Sequence, residues 1–169
     1  NLAAIRRADA VSALADIRGR PVIDRNKVYA ISHSGRMVAI DLPTGRRLWE
    51  VSLGGVNQPW VAGDFVFVLT TDATVAAITA RDGRIRWITP IGLYENPEKR
   101  RGRINWSGPV LVGDRLIVSG SNGVTLTLSP YTGAIVGEQD MPDAVSLSPA
   151  VANETLYFLT DEARLVAYR

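Results

Sequence analysis

The chain has no cysteine, and His33 is its single histidine among 169 residues. Disulfides, thiolate metal sites and cysteine nucleophiles are therefore excluded. One histidine cannot furnish a paired-histidine mechanism or a histidine-rich metal centre. Charge of one sign is equally scarce. Lys and Arg number 19 against 17 Asp and Glu, for a net charge of +2, so despite a pI near 9.2 the general footprint of a nucleic-acid binder is missing. No apolar run approaches the roughly 20 residues that cross a bilayer as a helix. No Ser-His-Asp spacing suggests a triad, and no glycine cluster forms a phosphate-binding strand-to-helix loop. The lack of cysteine fits an oxidising compartment as well as a reducing one. Opening at Asn1 in mid-pattern, without a signal peptide, the chain reads as part of something longer.

What is present is repetition. Pro21-Val22, Pro59-Trp60, Pro109-Val110 and Pro149-Ala150 each open a unit. Each is followed by an apolar run, a polar turn and another apolar stretch. A period near 40 residues built from short strands is the sequence signature of a β-propeller blade. The pattern predicts an all-β partial propeller of about four blades, each a four-stranded antiparallel sheet. The expected units are blade one over 20–53, blade two over 57–91, blade three over 106–140 and an incomplete blade four over 145–169. Residues 92–105 form an inserted loop, and residues 1–19, with no Gly or Pro before Gly19 and much Ala, would tolerate helix. Gly, Asn and Asp between strands of five or six residues are what such meanders need.

The corner between third and fourth strands is the most specific element. Blade one reads Ala39-Ile40-Asp41-Leu42-Pro43-Thr44-Gly45-Arg46-Arg47-Leu48-Trp49, and blade two reads Ala77-Ile78-Thr79-Ala80-Arg81-Asp82-Gly83-Arg84-Ile85-Arg86-Trp87. The small Ala39 and Ala77 let neighbouring sheets approach. Asp41 and Thr79 can accept backbone N–H groups within the turn. Gly45 and Gly83 suit a left-handed backbone. Trp49 and Trp87 offer large flat areas to bury between blades. Blade three keeps the turn through Gly133 but carries Gly137 where tryptophan is due, so that seam should pack differently.

This corner resembles the tryptophan-docking repeat of the pyrroloquinoline-quinone-type propellers. Within that superfamily the chain resembles the BamB family of outer-membrane-assembly lipoproteins, over about residues 14–169. The matching stretches are Asp16-Ile17-Arg18-Gly19-Arg20-Pro21-Val22, Gly35-Arg36-Met37-Val38-Ala39-Ile40-Asp41, Leu53-Gly54-Gly55-Val56-Asn57 and Leu165-Val166-Ala167-Tyr168-Arg169. The resemblance implies the C-terminal half of an eight-bladed ring and a noncatalytic scaffold at the periplasmic face of the outer membrane, on a lipid-anchored parent. Implied partners are the periplasmic POTRA repeats of the barrel-insertion protein and unfolded β-barrel precursors. The resemblance also makes residues 1–19 an inter-blade segment, the end of a preceding blade followed by a long loop, and the family docks its partner with such a loop, which contains Asp-x-Asp ahead of Thr-Thr-Pro. Asp16 matches the first acid, whereas Arg18 replaces the second and Gly19-Arg20 stand for the threonines.

The alternatives are a quinone-dependent dehydrogenase domain and an extracellular sensor propeller. The superfamily's enzymes imply a calcium-bound quinone, a base Asp and often a vicinal cysteine pair. Asp64, Asp72, Asp114 and Asp161 read instead as turn formers, and the chain is expected to hold no catalytic residue, metal or cofactor. Lys99-Arg100-Arg101-Gly102-Arg103 reads as a solvated loop tip or an anionic-partner patch. Trp60 and Trp106 lie outside the corners, as core or as aromatic floor at one end of the ring. Four blades do not close a ring, so self-association of the half-propeller is also expected.

Overall fold

The computed structural model describes residues 18–169. Every regular element among them is a β-strand. The first sheet comprises β1 (Val22–Asp24), β2 (Lys27–Ile31), β3 (Met37–Asp41) and β4 (Arg47–Val51). The second comprises β5 (Trp60–Ala62), β6 (Phe65–Leu69), β7 (Thr74–Thr79) and β8 (Ile85–Pro90). A separate hairpin of β9 (Tyr94–Asn96) and β10 (Arg101–Arg103) follows. The third sheet holds β11 (Trp106–Val112), β12 (Arg115–Gly120), β13 (Val124–Leu128) and β14 (Ile135–Asp140), and the last holds β15 (Ala150–Ala152), β16 (Thr155–Leu159) and β17 (Leu165–Tyr168). Each sheet is an antiparallel meander in chain order, the connectivity that short turns alone can make. The turn after β1 places Arg25 and Asn26 at φ 43° and 61°, and that after β15 places Asn153 and Glu154 at 49° and 58°. Two consecutive left-handed residues match the twist of the strands they join.

Successive sheets stack face to face and bury their apolar sides in three clusters. Tyr29, Met37 and Trp49 meet Val66, Val68 and Ile78 in the first seam. Phe67, Val75 and Ala77 meet Leu116, Val118, Leu126 and Leu128 in the second, where Trp60, Trp87 and Trp106 pack against the cluster as half-buried rings. The third seam is smaller: Ile117, Met141, Val145 and Phe158, with Val112, Leu156 and Val166 at its border. Both faces of the middle sheets are covered, which is why Val66 to Leu69 read as a continuous apolar run rather than an alternating one. This is a partial β-propeller.

The same register recurs in three sheets. Tyr29 pairs with Ala39 and Ala39 with Trp49. Phe67 pairs with Ala77 and Ala77 with Trp87. Ile117 pairs with Thr127 and Thr127 with Gly137. A register shift follows at the same step each time, at Ala39/Ile40, Ala77/Ile78 and Thr127/Leu128. Such a bulge twists the outer strand and re-aims its side chains.

Candidate functional site

The corners position the wedges. In corner one, Asp41 N–H donates to Arg46 O at 2.8 Å and Gly45 N–H to Asp41 O at 2.8 Å. Thr79 with Arg84 and Gly83, and Ser129 with Ala134 and Gly133, repeat both bonds at 2.8–3.0 Å. Gly45, Gly83 and Gly133 sit at φ 68°, 74° and 76°, a region that side-chain-bearing residues enter only at a cost. The side chains change roles between corners. Asp41 accepts from the Thr44 hydroxyl and, at 3.0 Å, from the Thr44 N–H. In corner two the hydroxyl comes first: Thr79 donates to Asp82 and accepts from Arg84 N–H at 3.0 Å. The Thr44 hydroxyl, and then its backbone N–H, hold the Asp41 carboxyl below the usual range. The Thr79 hydroxyl does the same to Asp82.

Each wedge reaches the corner of the next blade. The Trp49 indole N–H donates to Ala80 O at 3.2 Å, and its ring lies so close over Gly83 that a Cβ there would meet it at 2.8 Å. The Trp87 N–H donates to Pro130 O at 3.0 Å, and a Cβ on Gly133 would meet that ring at 2.5 Å. Tyr29 and Trp49 pack at 5.9 Å between centroids, Phe67 and Trp87 at 6.1 Å. Ala39 and Ala77 are fully buried beside them. These residues bridge adjacent sheets.

The opposite end of the strands carries the inter-blade connections and the turns between second and third strands. Gly55 N–H donates to Ser32 O of the preceding sheet and Thr71 N–H to Gly54 O, both at 3.0 Å. Ile91 N–H donates to Ala73 O at 2.9 Å and Ser121 N–H to Asn105 O at 3.0 Å. The connections are thus stitched to the turns on both sides. Gly54 and Gly55 allow this approach, since a Cβ would strike Gly35 Cα at 2.8 Å or Leu69 O at 2.7 Å. Gly19 rests on the backbone of Asn57 with the same tightness. Arg18, the residue before Gly19, is exposed. Asp16 lies outside the described residues.

A cleft of about 220 Å³ opens at this end, lined among others by His33, Asn57, Thr71, Leu93, Arg103 and Trp106. Asn57 Nδ2 donates to Trp106 O at 3.2 Å, and the Trp106 indole N–H to Gly92 O at 2.7 Å. Arg103 donates to Thr71 O at 3.3 Å, one of the five N–H groups a guanidinium carries. Above the cleft, residues 92–105 carry the β9–β10 hairpin where only a loop is expected from the sequence. Its Lys99, Arg100, Arg101 and Arg103 are all exposed, and none lies within ion-pairing distance of a carboxylate among the described residues.

The aspartates elsewhere are engaged locally. Ser146 donates to Asp161 through its N–H at 3.1 Å and its hydroxyl at 2.7 Å, and Asp64 meets Arg25 at 3.5 Å. Asp114 neighbours Arg115 at 3.9 Å, and Asp72 is exposed in its turn. Among the described residues no three His, Cys, Asp or Glu side chains converge as a metal-binding set.

A family profile described as outer membrane protein assembly factor BamB matches residues 1–89. The BamB of Legionella pneumophila (strain Paris) is 25% identical over 158 residues, which cover 94% of this chain and 39% of that protein. The chain thus spans about two-fifths of the length of the curated relatives it matches. Among solved structures, BamB from Moraxella catarrhalis superposes with a TM-score of 0.77 at 23% identity, over 89% of this chain and 42% of that one. A quinohemoprotein alcohol dehydrogenase from Comamonas testosteroni shares the fold at a TM-score of 0.68 and 16% identity, over 84% of this chain and 28% of the enzyme. The profile spans the first two blades and both tryptophan corners, where wedge, glycine and bulge recur in register, and by that match the chain belongs to the BamB family of outer membrane protein assembly factors.

Proposed function

We propose that this chain is the portion of an outer-membrane-protein assembly factor that docks a periplasmic partner through its connecting-loop end, without catalysis. The observation that carries this reading is the set of exposed cations on the β9–β10 hairpin, none within ion-pairing distance of a carboxylate among the described residues. Arg103 lines the cleft, the β9–β10 hairpin carries Lys99, Arg100 and Arg101 next to it in the chain, and the connections at this end are hydrogen-bonded to neighbouring turns. A pre-ordered loop surface loses little conformational entropy on binding. Its charge selects an acidic patch and speeds encounter. Family membership supports assembly of outer-membrane β-barrels as the process and the periplasmic side as the place. The POTRA repeats of the barrel-insertion protein are the partner we assign, with Asp16 and Arg18 as contacts of the loop preceding blade one.

The test is a binding titration between the full-length parent and the isolated periplasmic repeats. Arg18→Glu and Arg103→Glu should each weaken binding about tenfold or more, as truncating or reversing interface charges does, and Asp16→Lys should also weaken it, because we assign Asp16 to a basic group of the repeats outside the acidic patch. Affinity should fall with added salt. A parent that does not bind the repeats, or charge reversals without effect, overturns the assignment. Reconstitution with pyrroloquinoline quinone and calcium addresses the enzymatic alternative. Alcohol-dependent dye reduction would establish it, and an inert mixture is the expected result.

A further inference from the structure

We propose that the third seam is an acceptor pocket for a single aromatic side chain presented by a partner polypeptide. In the first two seams an indole from the outer strand closes the gap between sheets. In the third, Gly137 occupies the wedge register opposite Thr127, and Ile117 stands where the other sheets have Tyr29 and Phe67. The two outer members of the column are smaller, and Thr127, only slightly larger than the alanines it replaces, does not make up the difference. A cavity of about 210 Å³ remains there, walled by Ile117, Thr127, Gln139, Met141, Leu156 and Phe158. An apolar cavity of about 150 Å³ suffices to hold a benzene.

The walls suit an aromatic ring. Phe158 and Tyr168 form an edge-to-face pair at 5.8 Å, which extends an aromatic surface to the mouth. Met141 lines the wall; its sulfur accepts from the Tyr168 hydroxyl at 3.8 Å, and a thioether also makes favourable contacts with ring edges. Both filled seams satisfy the indole N–H with a carbonyl. Here the Gln139 amide N–H₂ is directed to Asp140 O at 2.9 Å, which leaves its carbonyl oxygen as the acceptor beside the pocket. A polypeptide source follows from the position of the opening. It lies beside β14, the edge strand of its sheet, where Ile135 and Val136 are 46% and 51% exposed. An extended segment can run along this strand and cover those side chains while one ring turns inward.

The full chain, labelled at methyl groups, is titrated with the probes N-acetyl-Gly-Trp-Gly-amide, its Gly-Ala-Gly counterpart and free indole. The tryptophan peptide should shift Ile117, Met141 and Leu156 saturably and leave Val66 and Val68 of the filled first seam unmoved. The alanine peptide should shift none of them. Gly137→Trp should abolish the response by supplying the plug internally. The substitution is open sterically, because a Cβ at Gly137 meets Thr127 only at 3.5 Å and the backbone there is not left-handed. Absent shifts, shifts that survive in Gly137→Trp, equal shifts with the alanine peptide, or entry of free indole alone would each overturn the proposal. If Gly137→Trp does not fold, the wild-type shift map with the two peptides decides the matter unaided.

Discussion

The first two seams and the third begin from the same backbone and end differently. All three have the strand register, the bulge and the left-handed corner glycine, at Gly45, Gly83 and Gly133. Only the first two carry the wedge. Blade three nonetheless keeps its four strands in order and stacks on blade four through Ile117, Val145 and Phe158. The repeat geometry is therefore encoded mainly in turns and hydrogen bonds, and the tryptophan adds packing between blades. Where it is lost, close packing is lost with it, and a cavity remains that interiors normally do not tolerate.

Trp49→Ala should strike this contrast hardest. Trp49 is only 8% exposed and anchors Tyr29, Met37 and the facing Val66 and Ile78. Removing a buried aromatic costs about 3–5 kcal/mol, measured as a lowered urea midpoint. Trp87 is half-buried, and Trp87→Ala should cost less. A loss below about 1 kcal/mol for Trp49→Ala would mean that the wedge is dispensable even where it is present, and the distinction between seams would collapse.

A subtler measurement separates turn strain from wedge contact. Gly45→Ala and Gly83→Ala both force alanine into a left-handed position, at φ 68° and 74°, at about 1–2 kcal/mol each. Gly45 has open space around it, whereas a Cβ on Gly83 runs into the Trp49 ring at 2.8 Å. Gly83→Ala should be the more damaging of the two, and the excess should vanish in a Trp49→Ala background. Equal effects of the two substitutions would show that the ring yields freely and that the glycine serves the turn alone.

The corners were legible in the sequence because each of their residues answers a local requirement: Ala39 and Ala77 for close approach, Gly83 and Gly133 for a positive φ, Trp49 and Trp87 for a broad apolar plane. The packing change at Gly137 was legible for the same reason. The β9–β10 hairpin was not. Its strands are three residues each and rich in charge, so no alternation of apolar and polar residues marks them. The cleft was hidden too, since His33, Asn57 and Arg103 lie in three different connecting segments that only the stacking of blades brings together. The exchange of carboxylate and hydroxyl between corners one and two was written in Asp41/Thr44 and Thr79/Asp82, yet its meaning needed the hydrogen bonds.

That exchange yields the smallest predicted difference between blades. Asp41 and Asp82 are held as carboxylates by neighbouring hydroxyl donors, so their folded-state pKa values fall below the unfolded ones. Such groups stabilise the fold above the unfolded value, near pH 4, and lose that contribution as pH drops through the depressed folded value. Corner three uses Ser129 and Thr132 instead and has no carboxylate to titrate. Hydrogen exchange at the corner amides reads each turn separately, because Gly45, Gly83 and Gly133 donate equivalent bonds to Asp41, Thr79 and Ser129. Below pH 4, after correction for intrinsic exchange, protection should decline at Gly45 and Gly83 and persist at Gly133. An Asp41→Asn/Asp82→Asn variant should flatten the decline at the first two. Because both carboxylates face solvent, the effect will be slight, and equal acid sensitivity at all three amides would assign it to the fold as a whole rather than to its corners.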